Sequence, residues 1–392
     1  MKQDVFVVEA LRTPFGSFGG ALAEIEAPQL AGAVIKGLLE KAKLAPEAVD
    51  EVIIGQVISG GVGQAPARQA AICGGLPTSV PAMTINKVCG SGLKAIMLGA
   101  GSITLGESGI VVAGGMENMS LAPYFLRKAR YGYRLGNGEL LDMMIYDGLK
   151  DPYSGRHMGE IGEESALKHS ITRAQQDDFA ARSYKLAQEA VRTGIFKDEI
   201  VPVVKESKKG PVSFAEDEEP FKVDFEKIAT LRPVFKKDGT ITAANASTIN
   251  DGAALALLAG EEAVRTYALK PRARIVASAT SSLNPELFPE APAEAIQAVC
   301  KKSGIKIADI DLFEINEAFA AVALLVINQL GLDLNRVNVN GGAAAIGHAL
   351  GASGARLAAT LVRELHRRNA HYGLATLCIG GGEAVAVILE RV

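Results

Sequence analysis

Short apolar runs rich in β-branched residues alternate along the chain with longer Ala-rich stretches in which apolar positions recur at helical spacing. Val5–Glu9, Glu51–Gly55, Ile110–Gly114, Arg274–Ala279, Leu312–Ile315 and Ala375–Ile379 read as buried strands, each followed by sequence of helical period. This alternation predicts βαβ units and an α/β fold, with mostly parallel sheets covered by helices on both faces. The longest apolar stretch, Ala318 to Ile327, is about half of the ~18 residues a membrane span requires. Asp4 to Ala10 reads as a strand with no basic segment before it, so no secretory signal is expected.

The Gly-Ser clusters expose a repeat. Cys89-Gly90-Ser91-Gly92-Leu93-Lys94-Ala95 opens one Ala-rich helical stretch, and a strand ending in Gly114-Gly115 follows. Gly351-Ala352-Ser353-Gly354-Ala355-Arg356-Leu357 opens another, followed by a strand ending in Gly380-Gly381-Gly382. The serines are 262 positions apart (91 and 353) and the glycine ends 266 apart (114 and 380), so one unit reads as duplicated. Composition shifts between the copies. We expect a first half of residues 1–119 with 250–270, an inserted region of 120–249, and a second half of 271–392. The insertion carries most of the tyrosines, a basic run (Lys205–Lys209) and an acidic run (Glu216–Glu219), the latter expected to be a solvated surface. Leu126 to Tyr146 reads as a protruding loop that meets a partner subunit.

Composition narrows the class. With 48% hydrophobic residues, 42 Gly and 5% aromatics, the core must be built mainly from Ala, Val, Ile and Leu. A net charge of −3 removes the electrostatic case for nucleic acid. Four cysteines in 392 residues are too few for a disulfide framework, and a reducing, cytoplasmic setting is expected.

Those cysteines differ by context. Cys73 and Cys300 lie in apolar helical sequence and read as buried, inert thiols. Cys89 precedes a Gly-Ser-Gly helix start, where free N–H groups and the dipole end lower a thiol pKa and favour thiolate. A small residue at a tight helix–sheet contact is the equal alternative. Cys378 ends a strand before three glycines, a place where functional groups gather, although a buried strand thiol before a loose turn is common. His348 is the one imidazole in the Gly-rich loop Asn340–Gly354 and suits a general base. His157 divides evenly between packing and ligand contact. His366 and His371 read as surface residues, and His169 as chemically idle. Asn316 reads as a helix cap, or as an amide that holds a water or an oxyanion. No His, Cys or carboxylate set has metal-ligand spacing, so no metal is expected, and no phosphate loop or dinucleotide fingerprint follows the first strand.

Seven stretches together resemble the thiolase family. They are Glu9–Gly16, Asn86–Gly92, Gly114–Ser120, Asn245-Ala246-Ser247 with Asn250–Ala253, Asn316–Ala320, Asn338–His348 and Cys378–Gly382. Seven in one order, at matching separations, make the resemblance specific and extend it over essentially the whole chain. It implies a duplicated fold layered α-β-α-β-α, with an inserted loop domain for CoA binding and oligomerisation. It further implies ping-pong acyl transfer through a covalent thioester: reversible Claisen condensation of two acetyl-CoA, or thiolysis of short 3-ketoacyl-CoA. Cys89 would carry the acyl group and His348 would accept its proton. Cys378 would be the acid/base at the α-carbon. Asn316 would hold a water that forms one oxyanion hole with His348, and the N–H groups of Cys89 and Gly380 would form the other. Leu149, His157, Met158, Phe235, Ala243 and Ser247, with Ala318 and Phe319, would contact CoA. CoA thioesters would be substrates, with no permanently bound cofactor, and the assembly would be a homotetramer built through Leu126–Tyr146.

The chain departs from the family's pattern at two places: Ala349 stands where Pro is usual, and Glu383-Ala384 where Gly is usual. His157-Met158 resembles the short-chain enzymes. Phe288-Pro289 resembles a variant that tolerates a 2-methyl branch, unless Phe288 merely covers an apolar wall. Broader or branched 3-ketoacyl chains are therefore the alternative substrate. Condensing enzymes of the ketoacyl synthase or HMG-CoA synthase type lack the second cysteine. A non-catalytic acyl-CoA carrier would be expected to lose Cys89 or His348. A redox sensor would use a Cys89–Cys378 disulfide.

Overall fold

Every predicted strand is present. The computed structural model describes residues 3–205 and 210–392, so the basic run beyond Lys205 lies outside the described residues. In chain order the main elements are β1 (Val5–Arg12), α1 (Ala27–Ala42), β2 (Glu51–Gly55), α2 (Pro66–Cys73), β3 (Ala82–Ile85), α3 (Ser91–Leu105) and β4 (Ile110–Asn118). The insertion contributes α4 (Met158–Lys168) and α5 (Arg173–Arg192). Then come β5 (Asn250–Gly260), β6 (Ala273–Ser282), α6 (Ala291–Ser303), β7 (Leu312–Ile315), α7 (Ala320–Leu330), α8 (Leu350–Arg367), β8 (Tyr372–Ile379) and β9 (Glu383–Arg391).

The strands run in the order β7-β8-β9-β6-β1-β5-β4-β2-β3. Four strands of the first half share one direction and β5 alone is reversed; in the second half only β9 is reversed. The sheets of the two halves join through two residue pairs, Phe6 with Arg274 and Val7 with Ala273. Three apolar cores separate five layers. One lies between α1/α2 and the first sheet, one surrounds α3 and α8 between the sheets, and one lies between the second sheet and α6/α7. This is the expected duplicated α/β architecture.

Helix α8 is buried on every face from Leu350 to Leu365. Val88–Leu105, which includes α3, is long and apolar enough to cross a membrane (mean hydropathy 1.4). Its Leu93, Ala95, Ile96 and Ile103 instead pack into the middle core.

Two expectations are corrected. The acidic run is not a solvated surface. The fully buried Arg12 guanidinium donates to both carboxylate oxygens of Asp217 (2.6 and 2.8 Å) and to Glu199 (2.6 Å), while Glu218 accepts from the N–H groups of Ser17 and Ala21. A buried cation requires such partners, and these carboxylates fasten the insertion to β1. Cys73 is exposed, because it closes α2 at the surface; Cys300 is buried as expected.

Candidate active site

Cys89 sits in the turn between β3 and α3, and the turn is strained. Val88 is left-handed at φ 46°, a conformation a β-branched residue adopts only under constraint. Three hydrogen bonds supply it. Val88 N–H donates to Asn86 Oδ1 (2.9 Å), Ser91 Oγ donates to the Val88 carbonyl (2.7 Å), and Ser91 Oγ accepts from Lys87 N–H (2.8 Å). Gly90 permits the close approach of the second half, since a Cβ there would lie 2.3 Å from Ile379 Cδ1.

Cys378 ends β8 and is almost fully buried. The β8–β9 turn that follows places Gly381 and Gly382 at positive φ (92° and 86°). Thiols from opposite halves of the duplication thus face one cavity of about 300 Å³, whose lining also includes His348, Gly380 and His157.

Burial decides the protonation states. It pushes the Cys89 thiol up to about 11, against the downward pull of hydrogen bonds from the N–H groups of Gly380 and Cys89 itself. The sequence reading expected a lowered value from the helix end. The sulfur instead meets these two amides, and desolvation outweighs them. Burial, and then the nearby Cys89 sulfur, hold Cys378 above the ordinary thiol range. Burial, with the charge of Arg356, pushes His348 down to about 3, so its imidazole is neutral at pH 7.

The tautomer of His348 follows from its partners. Ser353 Oγ lies 2.6 Å from Nδ1 and donates its own proton to the Ala349 carbonyl (2.8 Å). Ser353 therefore accepts from Nδ1–H, which leaves the Nε2 lone pair facing Asn316 Nδ2 at 3.4 Å. The His348 backbone N–H is held by Asn250 Oδ1 (2.9 Å). Asn316 lies behind the cavity wall, fully buried. Its Oδ1 has no hydrogen-bond partner among the described residues, which leaves it free to accept from a water. Glu117 ties the halves together beside these groups. Its carboxylate accepts from the N–H groups of Val57 (3.0 Å), Ile58 (3.1 Å) and Gly351 (2.9 Å), and burial pushes it up to about 7.

The remaining expected residues divide cleanly. Leu149, Met158, Phe235, Ser247, Phe288, Ala318 and Phe319 line the cavity with His157. His157 does two jobs: its ring stacks on Phe235 (4.7 Å between centroids), and its Nδ1 caps α4 by accepting from Gly159 N–H (3.1 Å). Phe319 meets Phe235 edge-on, and Ser247 donates to the Ala318 carbonyl, which closes the insertion over the second half. Ala243 is exposed and does not line the cavity. Met119, Gly148, Val234, Ala246, Thr248, Ile249 and Leu350 also line the cavity, and Ser353 lies behind it, none of them expected there from the sequence. All but Gly148, Val234 and Ser353 lie beside or within the motifs quoted above; Ser353 stands out in the sequence only as a repeat marker. Among the described residues no group of three or more His, Cys, Asp or Glu is placed to hold a metal ion.

The arrangement can transfer an acyl group. It combines a thiol at a helix start, a neutral imidazole with a fixed lone pair, a second thiol, and two amides that donate to the first thiol's sulfur. Comparisons with known proteins agree. Residues 5–262 match the family model for the thiolase N-terminal domain and residues 269–391 that for the thiolase C-terminal domain. The chain is 51% identical to an acetyl-CoA acetyltransferase of Pseudomonas aeruginosa, over 99% of this chain and 100% of that protein. It is 50% identical to one from Cupriavidus necator, over 99% of each. Crystal structures of the Bacillus anthracis acetyl-CoA acetyltransferase (TM-score 0.97, 42% identity) and human mitochondrial 3-ketoacyl-CoA thiolase (TM-score 0.96, 41%) cover 100% of this chain, and it covers 99% of each. Motifs, layered duplication and shared cavity have one reading: the chain belongs to the thiolase family.

Proposed function

We propose that this protein is a short-chain acyltransferase that joins two acetyl-CoA into acetoacetyl-CoA and CoA, and runs the reverse thiolysis. The carrying observation is that thiols from opposite halves face one cavity that also holds a neutral imidazole. In the first half-reaction the Cys89 proton passes to His348 Nε2 as the sulfur attacks the thioester carbonyl. The tetrahedral oxyanion is received by the N–H groups of Cys89 and Gly380. The thiolate of CoA then leaves with the proton from His348, and acetyl-Cys89 waits while CoA exchanges. In the second, Cys378 passes its proton to His348 Nε2 and, as thiolate, removes the α-proton of a new acetyl-CoA. Its enolate oxygen is held by the Nε2–H that His348 has just gained and by a water on Asn316, and its carbon attacks acetyl-Cys89, whose sulfur leaves and takes the proton back from His348. Thiolysis runs these steps backward, and there the high pKa of Cys378 suits it to protonate the departing enolate.

A cavity of about 300 Å³ must hold both the acyl group and the end of the CoA arm, which favours acetyl over long chains. The buried ring of Phe288 in its wall keeps a branched or somewhat longer 3-ketoacyl-CoA as the second reading. The inserted region covers the CoA arm. Its 126–140 stretch, with Tyr131 90% and Leu135 99% exposed, supports assembly into a homotetramer. CoA thioesters serve as substrates rather than residents, and a cytoplasmic setting suits a nucleophile that must stay reduced. The test is a thiolysis rate series over 3-ketoacyl-CoA chain length, together with condensation of acetyl-CoA. Acetoacetyl-CoA should be the best substrate. Absence of both activities, or a rate that climbs with chain length, would refute the assignment.

A further inference from the structure

The amides of the Cys89 oxyanion hole come from different halves of the molecule. Its width is therefore set by how closely the β3–α3 turn approaches the β8–β9 turn, not by either turn alone. We propose that Lys87 and Glu383 form a clamp across these turns and act as positioning residues for acyl transfer at Cys89. The inference rests on the function proposed above.

Lys87 Nζ lies 2.5 Å from Glu383 Oε2, and both side chains are largely covered, at 20% and 31% exposed. Each is anchored next to a hole amide. Lys87 is two residues before Cys89 and bridges to it through the backbone, and Lys87 N–H is fixed by Ser91 Oγ. Glu383 opens β9 and pairs with Ile379 across the three-glycine turn that carries Gly380. Beneath the ion pair, Gly90 and Ile379 are in close contact, so the turns are already at packing distance. Gly381 and Gly382 are left-handed and lack side chains to stiffen the turn. Glu383 supplies a tether from its edge. Lys94, in α3 on the same side as Lys87, is within electrostatic reach of both partners, so loss of the carboxylate leaves the two lysines as neighbouring like charges.

A partly exposed pair adds little to global stability, so its variants should fold. Misplacing a donor by a fraction of an ångström is nonetheless costly in rate. The experiment measures the burst of CoA released on acylation by acetyl-CoA in Lys87→Met, Glu383→Gln, the double variant and Lys87→Arg. It also measures exchange of the acetyl-CoA α-protons in D2O in a Cys89→Ala background. That exchange needs Cys378, His348 and Asn316 but not the Cys89 hole. Each single variant should acylate about 10-fold slower, the double no more than about 2-fold slower than the worse single, and Lys87→Arg should recover to within about 3-fold. Exchange should change less than about 2-fold. Wild-type acylation rates in the single variants, multiplied losses in the double, or an equal fall in exchange would overturn the clamp while leaving wild-type acylation intact. Failure of the wild type to acylate would instead overturn the function on which the clamp rests.

Discussion

Ser91 and Ser353 occupy the same place in the two copies of the unit, in the first turn of the middle helices α3 and α8, and both are fully buried. Each holds the cavity-lining residue ahead of it, Cys89 or His348, but through different atoms. Ser91 grips backbone: it accepts from Lys87 N–H and donates to the Val88 carbonyl, which fixes the left-handed turn that presents Cys89. Ser353 grips a side chain: it accepts from His348 Nδ1 and donates to the Ala349 carbonyl, which fixes a tautomer. A thiol has no tautomer to select and must only be placed. An imidazole must be both placed and given one free lone pair. One duplicated position thus became two tools, according to what each half contributes to the chemistry.

The helices differ as sharply. Helix α8 is buried from Leu350 to Leu365 yet carries charge: Arg356 donates to Glu314 (3.1 Å), and Arg363 donates to Glu9 (2.5 Å). Helix α3 shows Leu98 (36% exposed) and Leu105 (76%) to the outside. Arg356→Met, which leaves a buried partner unpaired, should cost about 3 kcal/mol. Denaturant titration checks this, and a cost under about 1 kcal/mol would show the buried pair to be idle. Reactivity of Cys89 sharpens the contrast next. Because burial raises its pKa to about 11, the thiolate fraction grows tenfold per pH unit below that value. Alkylation of Cys89 by iodoacetamide should rise about 100-fold from pH 7 to 9. A plateau below pH 9 would mean the two amides outweigh desolvation.

Ser353→Ala should lower kcat by roughly 10- to 100-fold with KM nearly unchanged. Nitrogen NMR of His348 should then show a mixture of tautomers where the wild type shows Nδ1–H alone. Ser91→Ala should lower kcat about 10-fold without altering that spectrum. If the two variants share one spectral effect, the division of labour between the serines is wrong. At the small end, Leu98→Asn should change stability by less than about 0.5 kcal/mol in the isolated subunit.

Much of this was legible in the sequence because it is local. Strands of β-branched residues, glycine clusters at matched separations, and Cys89, His348 and Cys378 in distinctive surroundings all announce themselves within a few residues. The missed features depend on what arrives from far along the chain. Strand β5 (Asn250–Gly260), buried along its whole length, is written in Ala, Leu and Gly without alternation, so only its neighbours β1 and β4 make it a strand. Asp217 looks solvated until Arg12 reaches it from 205 positions away. The raised Cys89 pKa has the same origin: the helix end is visible in the sequence, whereas the residues that pack beside the thiol, among them Val57, Met119, Met144 and Leu350, come from distant stretches of the chain.

The account stands on where the acyl group rests. Cys378→Ala, mixed with radiolabelled acetyl-CoA, quenched in acid and digested, should carry label on the peptide containing Cys89 while forming no acetoacetyl-CoA. The same treatment of Cys89→Ala should leave no label. Label on another peptide, or label that survives loss of Cys89, would contradict it.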